Sequence, residues 1–300
     1  MPDEFHLIVG GEGKLGTHLS ETLRMQGHEF AATTRHKQPS DQRHHIYCDL
    51  NDGDTWENLP EASVAYICAG ITSVEHCEIE PEETYAINVG QTVRLVEFLA
   101  EKDCRSVLIS TNRVFDGNSE MPKTSTATSP TTEYGRQKVD VENRVLALPG
   151  GSVIRLSKVL FSDDQLISGW LTALAAGHEI KAATDMYQSP VSADLAVSAL
   201  LSIGSEKEGG LFQLSATSDM SMLDIAGYVA SSTDCKTSLI NAISRIDLAG
   251  LERTGLHPDH LFPRHTTLDS SELSSEFGIM SPTVAESLQT LDGLRAIPGK

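Results

Sequence analysis

From residue 5 to residue 156, short apolar runs alternate with stretches of helical periodicity, and the first run ends in a cluster of glycines. FHLIVG (5–10) reads as a buried strand, and helical spacing follows from about Lys14 to Met25. HEFAATT (28–34), HHIYCDL (44–50) and SVAYICAG (63–70) are the next three strands. A long helical stretch from Pro81 to Glu101 leads into SVLIS (106–110), and a helix from Tyr134 to Leu146 leads into SVIRL (152–156). Strands joined by helices in this order lie parallel, because the helical crossover returns the chain to the same end of the sheet.

The expected fold is α/β. A Rossmann-like, doubly wound parallel sheet spans residues 1–156, and a smaller C-terminal substrate lobe spans 157–300, where the pattern is less regular. A helix near 192–203 is expected to return to the main sheet. The Ser-, Thr-, Pro- and Gly-rich stretch from Asp116 to Thr132 reads as a long loop with a binding role.

Composition narrows the function. With 39% hydrophobic residues, the 300-residue chain has material for a sizeable core. A net charge of -19 disfavours nucleic acid as a partner, because no run of Lys and Arg offsets phosphate repulsion. Cys48, Cys68, Cys77, Cys104 and Cys235 form no CxxC pair and read as free thiols of a reducing compartment, with Cys68 in the core of its strand. No apolar window is long enough for a membrane helix and no secretion signal is visible, so a cytoplasmic location without a membrane partner is expected.

Gly10, Gly13 and Gly16 form GxxGxxG between a strand and a helix. One glycine permits a tight turn, one lets the backbone approach a pyrophosphate, and one lets helix and strand pack closely. The helix start then offers N–H groups to the phosphates. In sites selective for NAD, an acid at the end of the second strand grips the ribose hydroxyls. This strand ends Thr33-Thr34-Arg35-His36-Lys37 without an acid, and Thr34 and Arg35 suit a 2′-phosphate. NADP, as NADPH, is the expected cofactor, and NAD is disfavoured.

Tyr134 and Lys138 form YxxxK, which puts both on one helix face. A tyrosine near an ammonium can exchange a proton with a substrate. Ser110 and Thr111 close the preceding strand, at the sheet edge where such folds bind ligands. HPDH (257–260) reads as surface polar residues, so no metal is expected. Asp163 and Asp164 read as a helix N-cap, and Trp56 and Trp170 have no assignable role.

The order of GxxGxxG, CDL (48–50), CAG (68–70), CEIEPEETYAINV (77–89), STNRVFDG (110–117), YGRQK (134–138) and SPVSADLA (189–196) resembles the extended short-chain dehydrogenases. Within them the chain is most similar to the dTDP-4-dehydrorhamnose reductase and sugar-nucleotide-binding group, and FGI (277–279) fits that group as well. The resemblance implies an NADP-dependent reductase of a keto group on a nucleotide-linked sugar. It places Gly10, Gly13, Lys14, Leu15 and Gly16 on the pyrophosphate, and Asp49 and Leu50 beside the adenine. Ala69 and Gly70 would line the cofactor, with Asn88 in support. Thr111 would hold the carbonyl oxygen, Tyr134 would donate the proton, and Lys138 would bind the ribose and tune Tyr134.

Two positions depart from the group. Asn112-Arg113 stands where Asp-Tyr is usual, and Lys158 stands where Trp is common. Both fall on the substrate side of the resemblance. Two cations there call for an anion, either an internal carboxylate or an acidic group on the substrate. Asn112 and Arg113 lack the acid pair of a dehydratase. A nucleotide-sugar 4-epimerase and an NAD(P)-binding regulatory subunit without turnover stay open as alternatives. So do the sugar, the base and the assembly, for which a homodimer is considered.

Overall fold

The computed structural model describes residues 4–37, 44–252 and 262–294. These described residues fall into two compact units, one of those within 1–114, 132–156 and 194–213, the other of those within 115–131, 157–193 and 214–300. HPDH lies outside the described residues.

The first unit is built on a sheet of β1 (His6–Val9), β2 (Phe30–Thr34), β3 (His45–Tyr47), β4 (Val64–Ile67), β5 (Arg105–Thr111), β6 (Gly151–Leu156) and the strand Leu211–Leu214. From one edge the order runs Leu211–Leu214, β6, β5, β4, β1, β2, β3. β1 to β6 pair in parallel. Helices cover both faces of such a sheet, so the strands read as unbroken apolar runs; β1, β2, β4 and β6 are buried along their whole length. The strand order reverses between β1 and β4, and the C-terminal ends of these two strands frame the crevice where such sheets take their ligands.

The helices of this unit are α1 (Lys14–Gln26), α2 (Val74–Ile79), α3 (Pro81–Tyr85), α4 (Thr92–Ala100), α5 (Glu133–Leu146) and the helix Ala193–Ser205. The single helix expected over 81–101 carries a π turn at Ala86–Gln91 between α3 and α4. The third strand is shorter than expected, and the residues after Tyr47 line a cavity instead. Cys68 requires a correction. β4 ends at Ile67, so Cys68 is half-buried and faces that cavity rather than the core.

The second unit holds three two-stranded pairs: Val159–Leu160 with Val191–Ser192, Tyr187–Gln188 with Met220–Ser221, and Ile180–Ala183 with Ile240–Ile243. Trp170, without a role in the sequence, belongs to the core of this unit with Ile167, Leu174 and Val229. The 116–131 loop carries no helix or strand. Thr124 donates to Glu272, and the Pro122 carbonyl accepts from Asp269 N–H. Asp164 caps the helix Gln165–Ala175 by accepting from Ile167 N–H.

His6 makes the first unit acid-sensitive. It is buried, its Nδ1 meets the Tyr66 hydroxyl at 3.3 Å, and its Nε2 has no hydrogen-bond partner. Burial, with help from His28 and Arg105 and against Glu4, lowers its pKa to about 4. An unfolded histidine takes its proton near 6.5, so the unfolded chain binds more protons between those values. The stabilisation is complete above about pH 6.5 and is lost as pH falls toward 4. With a discount for solvent screening, the loss is on the order of 2 kcal/mol. Denaturant unfolding at about pH 7 and about pH 4.5 should show a smaller pH dependence in His6→Phe than in wild type.

Candidate functional site: a dinucleotide cavity with a buried Tyr-Lys pair

The glycine loop is shaped by what surrounds it. Gly10 has φ of 90°, and a Cβ there would lie 2.7 Å from Ala69 N, because β1 and β4 end side by side. A Cβ on Gly16 would lie 2.4 Å from the Gly10 carbonyl oxygen, so α1 packs against the loop only with glycine there. A Cβ on Gly13 would meet only that carbonyl, at 3.5 Å, an ordinary contact. Gly13 therefore leaves open space, which suits the close approach of a ligand. Gly10 N–H donates to Thr33 Oγ1 at 2.9 Å and Gly11 N–H donates to the Thr33 carbonyl at 3.0 Å, which ties the loop to the end of β2. Gly13 caps α1 without a side-chain acceptor, and the first turn of α1 carries no acid. Its N–H groups and partial positive charge are available to an anion.

A cavity of about 540 Å³ lies against this loop. Gly10, Gly13, Thr34, Arg35, Asp49, Leu50, Ala69 and Gly70 all line it. Lys14 and Leu15 open α1 immediately after Gly13. Among the described residues that directly follow β2 in sequence, Arg35 to Lys37, none is acidic: Thr34 is buried with its hydroxyl accepting from His36 N–H, and Arg35 is exposed at the rim. Glu12 lines the cavity too, and its carboxylate faces exposed His36 at 3.6 Å.

Two residues support the cavity wall: Trp56, to which the sequence assigned no role, and Asn88, which the resemblance placed in support of the cofactor. Trp56 is buried and donates from its indole nitrogen to the Asp49 carbonyl at 3.1 Å, which fixes the Asp49-Leu50 wall. Asn88, in the π turn, clamps Ile71 by accepting from its N–H at 2.7 Å and donating to its carbonyl at 2.9 Å. Asn88 also donates to Gln137 of α5 at 2.8 Å, linking the cavity wall to the helix that carries Tyr134 and Lys138. A π turn widens a helix by one residue and re-aims a side chain, and such turns recur at functional sites.

Tyr134 and Lys138 are both buried on α5. Lys138 donates from Nζ to the Ile109 carbonyl at 2.7 Å and lies within electrostatic range of Cys68 on the cavity wall. Burial lowers its pKa to about 8, and Glu142 acts against that shift. The Tyr134 hydroxyl is held above the ordinary tyrosine range, first by burial and then by Cys77. A tyrosine so placed stays protonated near neutral pH. The cation that opposes the shift at Tyr134 is Arg113, itself lowered to about 10 by burial. Thr111 ends β5, and its Oγ1 accepts from Arg113 N–H at 3.1 Å.

Lys158, in the second unit, has its anion within the chain: Asp164 lies 3.0 Å from its Nζ.

Residues 6–292 match the model of the RmlD substrate binding domain. The chain belongs to the RmlD substrate binding domain family. Relatives of this RmlD-family chain include the probable low-salt glycan biosynthesis reductase Agl14 of Haloferax volcanii, 26% identical over 96% of this chain and 97% of the relative. The dTDP-4-dehydrorhamnose reductase of Sinorhizobium fredii is 29% identical over 77% of this chain and 80% of its own. Among solved structures, the dTDP-4-dehydrorhamnose reductase of Bacillus anthracis in complex with NADP superposes with a TM-score of 0.80. That match covers 96% of this chain and 97% of the other at 18% identity, a likeness of fold. Among the described residues no helix of the RmlD-family chain is long and apolar enough to cross a membrane.

Proposed function

We propose that the chain is an NADPH-dependent reductase of a keto group on a nucleotide-linked sugar, of the dTDP-4-dehydrorhamnose reductase type. The observation that carries this reading is a buried tyrosine–lysine pair on α5, coupled through Gln137 and Asn88 to the wall of a glycine-loop cavity. Membership of the RmlD family, and relatives named as reductases of this class, support it.

The residues present fit the cofactor. The open N-terminus of α1 and the bare face at Gly13 suit a pyrophosphate. The Asp49-Leu50 wall pinned by Trp56 suits an adenine, and Thr34 with Arg35 suits a ribose 2′-phosphate. Bound there, NADPH supplies a hydride to the substrate carbonyl carbon. Tyr134, kept protonated by burial, gives its hydroxyl proton to the carbonyl oxygen. Thr111 Oγ positions that oxygen, and the Lys138 ammonium binds the nicotinamide ribose.

Arg113 is the residue we assign to substrate choice. A half-buried guanidinium within electrostatic range of Tyr134 would grip a carboxylate or phosphate near the reacting carbon bidentately. Turnover of NADPH with neutral and carboxylated 4-keto nucleotide sugars tests both statements. The reading expects oxidation with at least one of them, and the carboxylated sugar should lose its advantage in Arg113→Tyr. Tight NADPH binding without turnover across the panel would favour a binding-only subunit.

Cofactor preference has its own test. Losing one charge-assisted contact to a 2′-phosphate costs about 1.5–3 kcal/mol, roughly ten- to a hundredfold in Kd. Calorimetry should show NADPH bound more tightly than NADH in wild type, with most of the difference gone in Arg35→Ala. Equal affinities in wild type would contradict the assignment.

A further inference from the structure

Behind the Tyr134–Lys138 pair lies a buried charged network that the proposed chemistry does not use. Tyr134, Lys138 and Glu142 follow one another at intervals of four residues along α5, and all three are buried. Glu142 accepts from the Ser110 hydroxyl and forms a forked ion pair with Arg155, Nη2 to Oε2 at 2.7 Å and Nε to Oε2 at 3.1 Å. Ser110 and Arg155 are register partners across β5 and β6, so one carboxylate bridges a cross-strand pair. Arg155 also donates from Nη1 to Gln213 at 3.2 Å, on the next strand of the sheet.

The placement on β5 is what matters for the site. Lys138 holds the Ile109 carbonyl, Glu142 holds the next residue, Ser110, and the residue after that is Thr111. We propose that Glu142, clamped by Arg155, is a positioning residue for the reduction: it sets Lys138 and the end of β5, and hence Thr111, in the geometry of proton and hydride transfer. A carboxylate one helical turn beyond Lys138 also favours the ammonium that burial disfavours. The other groups facing Lys138 are Cys68 at the end of β4 and Cys77 on α2. Burial pushes the Cys68 thiol up to about 12 and raises Cys77 as well, so both stay neutral near pH 8. Glu142 is thus the negative charge that acts on Lys138 in the working pH range. An ion pair serving stability alone would require neither the Ser110 contact nor this influence on Lys138.

The turnover part of the test rests on the reductase reading; the titration part does not. Glu142→Gln, the charge-balanced pair Glu142→Gln with Arg155→Met, and Ser110→Ala are compared with wild type. The pH dependence of Lys138 acetylation by acetic anhydride, read by mass spectrometry, reports its titration in the protein without cofactor or substrate. The expected result is a Lys138 midpoint about half a pH unit or more lower in each Gln variant. The alkaline limb of kcat should move with it. Ser110→Ala should leave the midpoint in place and lower kcat about threefold or more at unchanged KM. A folded Gln variant whose Lys138 midpoint matches wild type overturns the proposal whether or not the chain proves to be a reductase. If neither Gln variant folds, Ser110→Ala decides, and wild-type kcat in that variant overturns it.

Discussion

Tyr134→Phe should abolish turnover, with a fall in kcat of roughly a hundred- to ten-thousandfold, while NADPH binds with nearly wild-type affinity. The ring of Tyr134 is buried on α5, and phenylalanine fills the same space, so the helix and the cavity beside it should keep their form. The change removes the one proton that burial and Cys77 hold on the hydroxyl near neutral pH. Thr111→Ala should be milder, because Thr111 positions the carbonyl oxygen and does not supply the proton. Stopped-flow hydride transfer and fluorescence titration of NADPH on the same preparations separate chemistry from binding. Near-wild-type turnover in Tyr134→Phe would show that another group is the acid.

The glycine loop should respond to two methyl groups in different ways. In Gly16→Ala the new Cβ falls 2.4 Å from the Gly10 carbonyl oxygen, a backbone atom that has no rotamer to escape into. Either α1 or the loop must move, at a cost of about 1–3 kcal/mol, and the phosphate cradle moves with it. Gly16→Ala should therefore melt at a lower temperature and also bind NADPH poorly. In Gly13→Ala the Cβ meets only ordinary contact at 3.5 Å, so the fold should be kept. The methyl instead projects into the space proposed for the pyrophosphate, and affinity should fall about tenfold or more at an unchanged melting temperature. Thermal melts beside calorimetric titrations give both quantities. A Gly13→Ala protein with wild-type affinity would place the phosphates elsewhere.

What could be read from the sequence was the chemistry carried by local spacing. A strand, three glycines and a helix share one short stretch, so β1, the loop and α1 were legible together. So was the pairing of Tyr134 with Lys138, since four residues on a helix set one face. What escaped was chemistry between residues distant in sequence. Glu142 looks like any acid on a helix, yet it is buried against Arg155 and Ser110. The legible hint was Arg155, a lone cation in the apolar run SVIRL, which demands a buried anion. Cys68 was misplaced because an apolar run does not tell where strand gives way to cavity wall. At Lys158 the N-cap role of Asp164 was visible, but the ion pair beside it depends on how the chain turns before the helix. Trp56 had no sequence signal, because its partner is a backbone carbonyl.

The central claim is that a hydride passes from NADPH bound at the glycine loop to a keto carbon of a nucleotide sugar, with Tyr134 as the acid. NADPH deuterated at the transferring position, incubated with a 4-keto nucleotide sugar and the enzyme, tests it most directly by mass spectrometry of the sugar product. The account predicts one deuterium on the product carbon with wild type and none above background with Tyr134→Phe. NADPH bound by the wild-type chain without deuterium transfer to any keto sugar of the panel would contradict it.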